Sequence, residues 1–306
     1  MTAAAEARRC GFVPVLGAPN AGKSTLVNRL VGAKVTIVSP RVQTTRSRVS
    51  GIAVRGSTQI VFVDTPGIFA TPRRRLERAM VDQAWRALAD ADAVVVVVDA
   101  ARRSIDDDTR RILASLKDKD RVAPVLVALN KIDLVRKDTL LAKAKAVDEI
   151  GAARRIFMIS AEKGDGVEDL FAHIVGLMPE GPWHYPADQL SDMPQRLLAA
   201  EITREQLFTR LYEEVPHAVA VETETWEEFK NGSVRVSQTI YVERNSQRAI
   251  VLGKGGQSIK AIGEAARKEL KAMLGREVHL ALRVKTREDW AESRELYEAW
   301  GLEWKS

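Results

Sequence analysis

The chain has 306 residues, 45% of them hydrophobic, with a formal net charge of +6. That length predicts two domains with real cores, and the composition excludes wholesale disorder. One cysteine, Cys10, excludes an intrachain disulfide and speaks for a reducing compartment, while the absence of any apolar run near ~18 residues speaks against a membrane span or a secretory signal.

In chain order, short apolar runs at 12–16, 51–54, 60–63, 94–98, 122–129 and 156–159 read as strands. Between most of them lie amphipathic stretches at 23–31, 74–90, 107–116, 140–150 and 167–178, which read as helices. Such alternation predicts an α/β domain over 8–180 with a mainly parallel sheet covered on both faces. The polar segment 32–50 has no clear period, and long irregular loops in compact domains are usually functional. Three prolines between Pro179 and Pro186 stop the pattern and mark a linker over 181–190, read as docked rather than as a binding site. A second domain over 191–306 follows. It starts with a helix at 193–212, then a hairpin of strands 218–229 and 234–243 about Asn231-Gly232. A glycine turn at 253–256 opens a helix to about 274, followed by a strand at 278–284 and a last helix at 288–300.

The segment Gly17-Ala18-Pro19-Asn20-Ala21-Gly22-Lys23-Ser24 fits the phosphate loop G-x-x-x-x-G-K-[ST], placed as it should be between a strand and a helix. The backbone N–H groups of such a loop, from Gly17 through Thr25 at the helix start, cradle phosphate oxygens. Lys23 adds a point charge for the β and γ phosphates, and the Ser24 hydroxyl suits Mg²⁺. Asp64-Thr65-Pro66-Gly67 follows a strand, with Asp64 placed to hold Mg²⁺ through water and the Gly67 N–H to sense a γ-phosphate. Asn130-Lys131-Ile132-Asp133 follows another strand. The Asp133 carboxylate can accept the two N–H donors of guanine, a pair that adenine lacks, while Asn130 braces the loop and Lys131 lies along the base. Ser160-Ala161-Glu162 follows the last strand of this domain, where the Ala161 N–H can donate to guanine O6. Four motifs in this order, each after a strand, predict guanine-nucleotide binding.

Charge is uneven along the chain. Residues 1–180 carry +8 and residues 181–306 carry −2, yet 244–285 holds 10 basic and 3 acidic residues. This basic island surrounds Gly253-Lys254-Gly255-Gly256, a GXXG loop flanked by aliphatic residues and opening a helix, as in KH domains that clamp a single-stranded nucleic-acid backbone. Ser258 and Lys260 stand on the first turn beyond it. The loop lacks a following Lys-Ser/Thr, so it is not a second phosphate loop. The order of helix, hairpin, helix and strand favours the prokaryotic, type II KH topology.

Gln43-Thr44-Thr45-Arg46, lying between the first two nucleotide motifs, resembles the TrmE–Era–EngA group of GTPases. That resemblance implies that Thr45, the Thr directly before Arg, completes the Mg²⁺ shell. It also implies that Asn20 can coordinate a monovalent cation, K⁺, that neutralises transition-state charge. Ile68 stands after Gly67, where many regulatory GTPases carry a water-orienting Gln, so intrinsic hydrolysis is expected to be slow. The pairing of these motifs with a C-terminal KH domain resembles the Era family of bacterial ribosome-assembly GTPases over nearly the whole chain. The resemblance implies a cytoplasmic GTPase, expected to be monomeric, that binds GTP and GDP, the 3′ end of 16S ribosomal RNA and the 30S subunit, with some members peripheral at the inner membrane. Glu162 departs from the Lys or Leu more usual there, but the O6 contact is made by backbone. The alternative reading is a GTPase of RNA modification or of membrane-linked signalling, which gives the GXXG loop no role.

Overall fold

The computed structural model describes residues 7–39, 48–68, 72, 75–118, 123–211 and 219–304. The Gln43-Thr44-Thr45-Arg46 stretch, and with it Thr45, lies outside the described residues. The described residues form two compact units, one of residues in 7–36, 48–192 and 300–304, the other of residues 37–39 and those in 193–299.

The first unit holds strands β1 (Arg9–Gly17), β2 (Val49–Arg55), β3 (Thr58–Asp64), β4 (Val94–Asp99), β5 (Val125–Asn130) and β6 (Arg155–Met158). They lie in the order β2-β3-β1-β4-β5-β6, parallel except where β2 meets β3. Five helices belong to it: α1 (Lys23–Val31), α2 (Arg75–Arg86), α3 (Asp107–Lys117), α4 (Lys137–Asp148) and α5 (Val167–Leu177). The valine run of β4 shows how the sequence specifies both layers. Val95 and Val97 face a core with Leu26 of α1 and Leu170 of α5, while Val94, Val96 and Val98 face Ile112 of α3 and Val147 of α4. Period-two alternation with every position apolar is what a strand covered on both faces requires. The sheet reverses direction of growth between β1 and β4, so a crevice opens at the carboxyl ends of the strands, where α/β sheets bind ligands.

The linker is docked. Gln59, fully buried on β3, accepts from His184 N and Tyr185 N at 2.9 and 3.0 Å and donates to Tyr185 O at 2.8 Å. Trp183 Nε1 donates to Ser57 O, and His184 packs on the Phe12 ring. Farther on, Ile52 N donates to Leu190 O and Ser191 pairs with Gly51, so residues 190–192 lie along β2. The chain end expected to continue the second domain also differs: Gln83 of α2 donates to Gly301 O, Arg86 pairs with Glu303, and the Arg75 guanidinium lies 4.5 Å over the Trp304 ring.

The second unit is a three-stranded sheet in the order β7-β8-β9, with β7 (Val219–Glu228) antiparallel and β9 (Val278–Thr286) parallel to the central β8 (Val234–Val242). Helices α6 (Gln195–Arg210) and α8 (Gln257–Leu274) cover one face, where Ile202, Val236, Ile240, Ile262, Ala266 and Leu270 are buried. Ile262, Ala266 and Leu270 recur every four residues, the stripe that turns one side of α8 to the sheet and leaves its cations outside. Two helices differ from expectation. An eight-residue helix, α7 (Asn245–Leu252), stands before the glycine loop, started by Gln247 Oε1 accepting from Glu243 N and Arg244 N. The last helix, α9 (Arg294–Ala299), is shorter than the expected 288–300, because Ser293 is extended and separates it from a 3-10 turn at Trp290–Glu292.

Candidate guanine-nucleotide site and RNA-contacting loop

The phosphate loop bridges β1 and α1. Its conformation needs left-handed backbone at Asn20 (φ 63) and Gly22 (φ 99), and Asn tolerates that region better than most side chains. Gly22 is required for a second reason: a Cβ there would sit 2.2 Å from Asn130 Nδ2. Lys23 is 6% exposed, and its Nζ donates to Gly17 O at 3.1 Å and Ala18 O at 3.0 Å, so the ammonium already lies inside the loop. Burial pushes its pKa from 10.5 down to about 8, with the Asp64 charge opposing. Ser24 and Thr25 follow on the first turn of α1, both half-buried.

Asp64 ends β3 and is fully buried. Its Oδ2 accepts from Ser24 Oγ at 2.8 Å and from Thr36 Oγ1 at 2.9 Å. A hydroxyl and a carboxylate at this distance are hard oxygen donors of the kind Mg²⁺ takes when phosphates supply the rest of its shell, so the residues suit that ion. Gly67 packs against the phosphate loop, where an added Cβ would lie 2.9–3.1 Å from Pro19. Ile68 is buried in the core beside Leu16 and Val96 and has no polar group to orient a water.

Asn130 joins three motifs. Its Nδ2 donates to Ala21 O and its Oδ1 accepts from Ala161 N, both at 2.9 Å. The Ala161 N–H expected to meet guanine O6 is thus engaged by Asn130 in this structure. Lys131 is left-handed (φ 67) and reaches back to the phosphate loop, donating to Asn20 O at 2.8 Å and to Asp99 Oδ2 at 2.6 Å. Ile132 N donates to Ile159 O, which ties this loop to the one carrying Ser160, Ala161 and Glu162. Asp133 stands exposed on the 3-10 turn Ile132–Leu134. Ser160 is buried and its Oγ accepts from Lys163 N, while Glu162 is exposed.

Two residues of α1 escaped the sequence reading. Arg29 donates to Ala161 O at 3.1 Å and to Glu162 O, fixing the base loop from behind. Asn28 Oδ1 accepts from Val35 N and Thr36 N, and its Nδ2 donates to Thr36 O, fixing the start of the polar segment. The available signal was a polar pair, Asn28-Arg29, inside the apolar run Leu26 to Val31.

In the second unit the GXXG residues sit between α7 and α8. Lys254 and Gly255 are exposed at the tip, Gly253 and Gly256 are half-buried at the roots, Ser258 is half-buried and Lys260 exposed. All three glycines have positive φ. A Cβ on Gly253 would lie 2.6 Å from Ser258 Cβ, whereas nothing lies within 4 Å of one on Gly255 or Gly256, so a backbone can approach the tip closely.

Residues 12–131 match the family described as 50S ribosome-binding GTPase, and residues 214–291 match the KH domain. The chain is 56% identical to GTPase Era of Rhizobium meliloti over 98% of this chain and 95% of that one. It is 54% identical to GTPase Era of Caulobacter vibrioides over 99% of each. Among solved structures it is similar, at TM-score 0.90 and 36% identity over 96% of this chain and 99% of the other, to Era in complex with MgGDPNP and nucleotides 1506–1542 of 16S ribosomal RNA. At TM-score 0.89, with the same identity and coverage, it is similar to a single-substitution variant of Aquifex aeolicus Era bound to GDP.AlF4⁻.

Proposed function

The chain belongs to the Era family of GTPases, and from that premise we propose a GTP-hydrolysing switch that binds the 3′ end of 16S ribosomal RNA and assists 30S subunit assembly. Two observations within the one chain carry the proposal: a nucleotide site braced by Asn130, and an exposed Gly-Lys-Gly-Gly loop between two helices. The matched family description speaks of the 50S subunit. The small subunit is preferred because the 36%-identical Era binds 16S RNA. The alternative of a GTPase in RNA modification or membrane-linked signalling is disfavoured, because the relatives match through the KH domain as well.

In this reading the backbone of Gly17, Asn20, Ala21, Gly22 and Thr25 binds the phosphates, and Lys23 exchanges its two carbonyl partners for β and γ oxygens. Ser24 and Asp64, with Thr45, hold Mg²⁺, which neutralises charge on the transferring phosphoryl group when bound. Asp133 selects guanine. The Ala161 N–H is handed from Asn130 to O6, with Arg29 fixing the carbonyl on the other side. Gly67 donates its N–H to the γ-phosphate. With Ile68 unable to orient water, turnover without a stimulating cation or partner is slow. Asn20, with its side-chain oxygen on the phosphate loop, is the candidate K⁺ ligand. Location is cytoplasmic, the state monomeric, and any inner-membrane association peripheral. No helix among the described residues is long and apolar enough to cross a membrane.

The test is a double substitution, Lys254→Asp with Gly255→Asp. Both sites are exposed, and Asp accepts positive φ better than most residues, so folding is retained. Two carboxylates against the RNA backbone should abolish filter binding of single-stranded 16S 3′-end RNA while GTP hydrolysis and thermal melting stay as in the parent. A double variant that still binds this RNA at moderate salt refutes the RNA assignment. Equal RNA affinity with a GTP analogue and with GDP removes the switch.

A further inference from the structure

Thr36 lies in the irregular polar segment after α1, has no part in the nucleotide chemistry above, and is 3% exposed. Its backbone is gripped on both sides by one amide. Asn28 Oδ1 accepts from Thr36 N at 3.0 Å and from Val35 N at 2.8 Å, and Asn28 Nδ2 donates to Thr36 O at 2.8 Å. Asn28 is itself held by α1, the helix that carries Lys23 and Ser24. With its backbone so placed, the Thr36 hydroxyl donates to Asp64 Oδ2 at 2.9 Å, the same oxygen that Ser24 Oγ meets at 2.8 Å.

Two hydroxyl donors converging on one carboxylate oxygen do more than satisfy it. They fix rotation about the Asp64 Cβ–Cγ bond, so the direction of the other oxygen is set before any cation arrives. Thr36 shares this oxygen with Ser24, and Ser24 is itself assigned to the metal. We propose that Thr36 is a positioning residue for Mg²⁺-dependent nucleotide retention, held by Asn28 and acting through the Asp64 carboxylate. This rests on the reading of Asp64 as the metal-side carboxylate.

The experiment follows release of a fluorescent GDP analogue from the full chain as Mg²⁺ is titrated, and again in excess EDTA. Thr36→Val keeps the shape and the burial but removes the donor, and Thr36→Ser keeps the donor. A charge-assisted hydrogen bond sets the scale: Thr36→Val should raise the Mg²⁺ concentration for half-maximal slowing of release by about tenfold. Thr36→Ser should stay within about twofold of the parent, and Asn28→Ala should fall between them. Release in EDTA should be unchanged in Thr36→Val. A parent-like Mg²⁺ midpoint in Thr36→Val overturns the proposal, as does a rise in the EDTA rate equal to the rise with Mg²⁺, which would mean loop packing alone. Asp64→Ala separates the two levels. If it shifts the midpoint while Thr36→Val does not, only the role of Thr36 fails; if it shifts nothing, the assignment of Asp64 fails as well.

Discussion

Raising the pH perturbs the nucleotide site through Lys23. Burial brings its pKa from 10.5 to about 8, with Asp64 offsetting part of the effect. Bound phosphates place negative charge beside the ammonium and return its pKa toward the ordinary value. The sign follows. As pH rises through about 8, the protein without nucleotide loses this proton first, and the complex must take it back on binding. Affinity for GDP should therefore fall about tenfold per pH unit above 8, and the distance from about 8 to 10.5 caps the loss at about 300-fold. Proton uptake by Lys23 on GDP binding should rise with pH, passing half a proton near pH 8. Calorimetry in two buffers of different ionisation enthalpy reads this uptake directly. Guanosine, titrated alongside, removes the contribution of the base N–H. A flat affinity between pH 7 and 9, with no more uptake than guanosine shows, would refute the claim that a buried ammonium inside the loop meets the phosphates.

Two further outcomes test the base and the cation. Asp133→Asn should weaken GTP by roughly 2–4 kcal/mol, or about 30–1,000-fold, and raise relative affinity for xanthosine triphosphate, whose C2 oxygen replaces the amine; unchanged GTP binding would cancel the guanine assignment. GTP turnover in K⁺ should exceed that in Na⁺, with Asn20→Asp altering the ratio, and equal steady-state rates in both salts would take Asn20 out of the mechanism.

What could be read from the sequence divides along physical lines. The helix 23–31 and the valine strand 94–98 were legible because each is fixed by a local signal, a Gly-Lys-Ser helix entry in one case and an all-apolar run in the other. The nucleotide motifs were legible because the chemistry demands particular side chains at strand ends. Helix α7 was not, since its eight residues offer too short a period and its start depends on Gln247 folding back onto Arg244. Thr36 and Arg29 were not, because their roles exist only through partners far along the chain, Asp64 and Ala161. The boundaries drawn at 180 and 190 followed proline, which reports where a helix stops and says nothing of where the chain then lies. Gln59, the buried group that captures the backbone at His184 and Tyr185, gave no local sign of that role.

The lie of residues 190–192 along β2 has a practical consequence. β2 is the outer strand of its sheet, and an outer strand with unpaired N–H and C=O groups is a template for joining another chain. Here Leu190 and Ser191 occupy part of that template, and the Asp192 carboxylate takes the N–H of Ser50. A truncated GTPase fragment ending at 180 would strip this cover and leave the buried Gln59 amide without its three backbone bonds, inviting self-association in concentrated solution. A fragment carried on to 192 keeps its own edge closed.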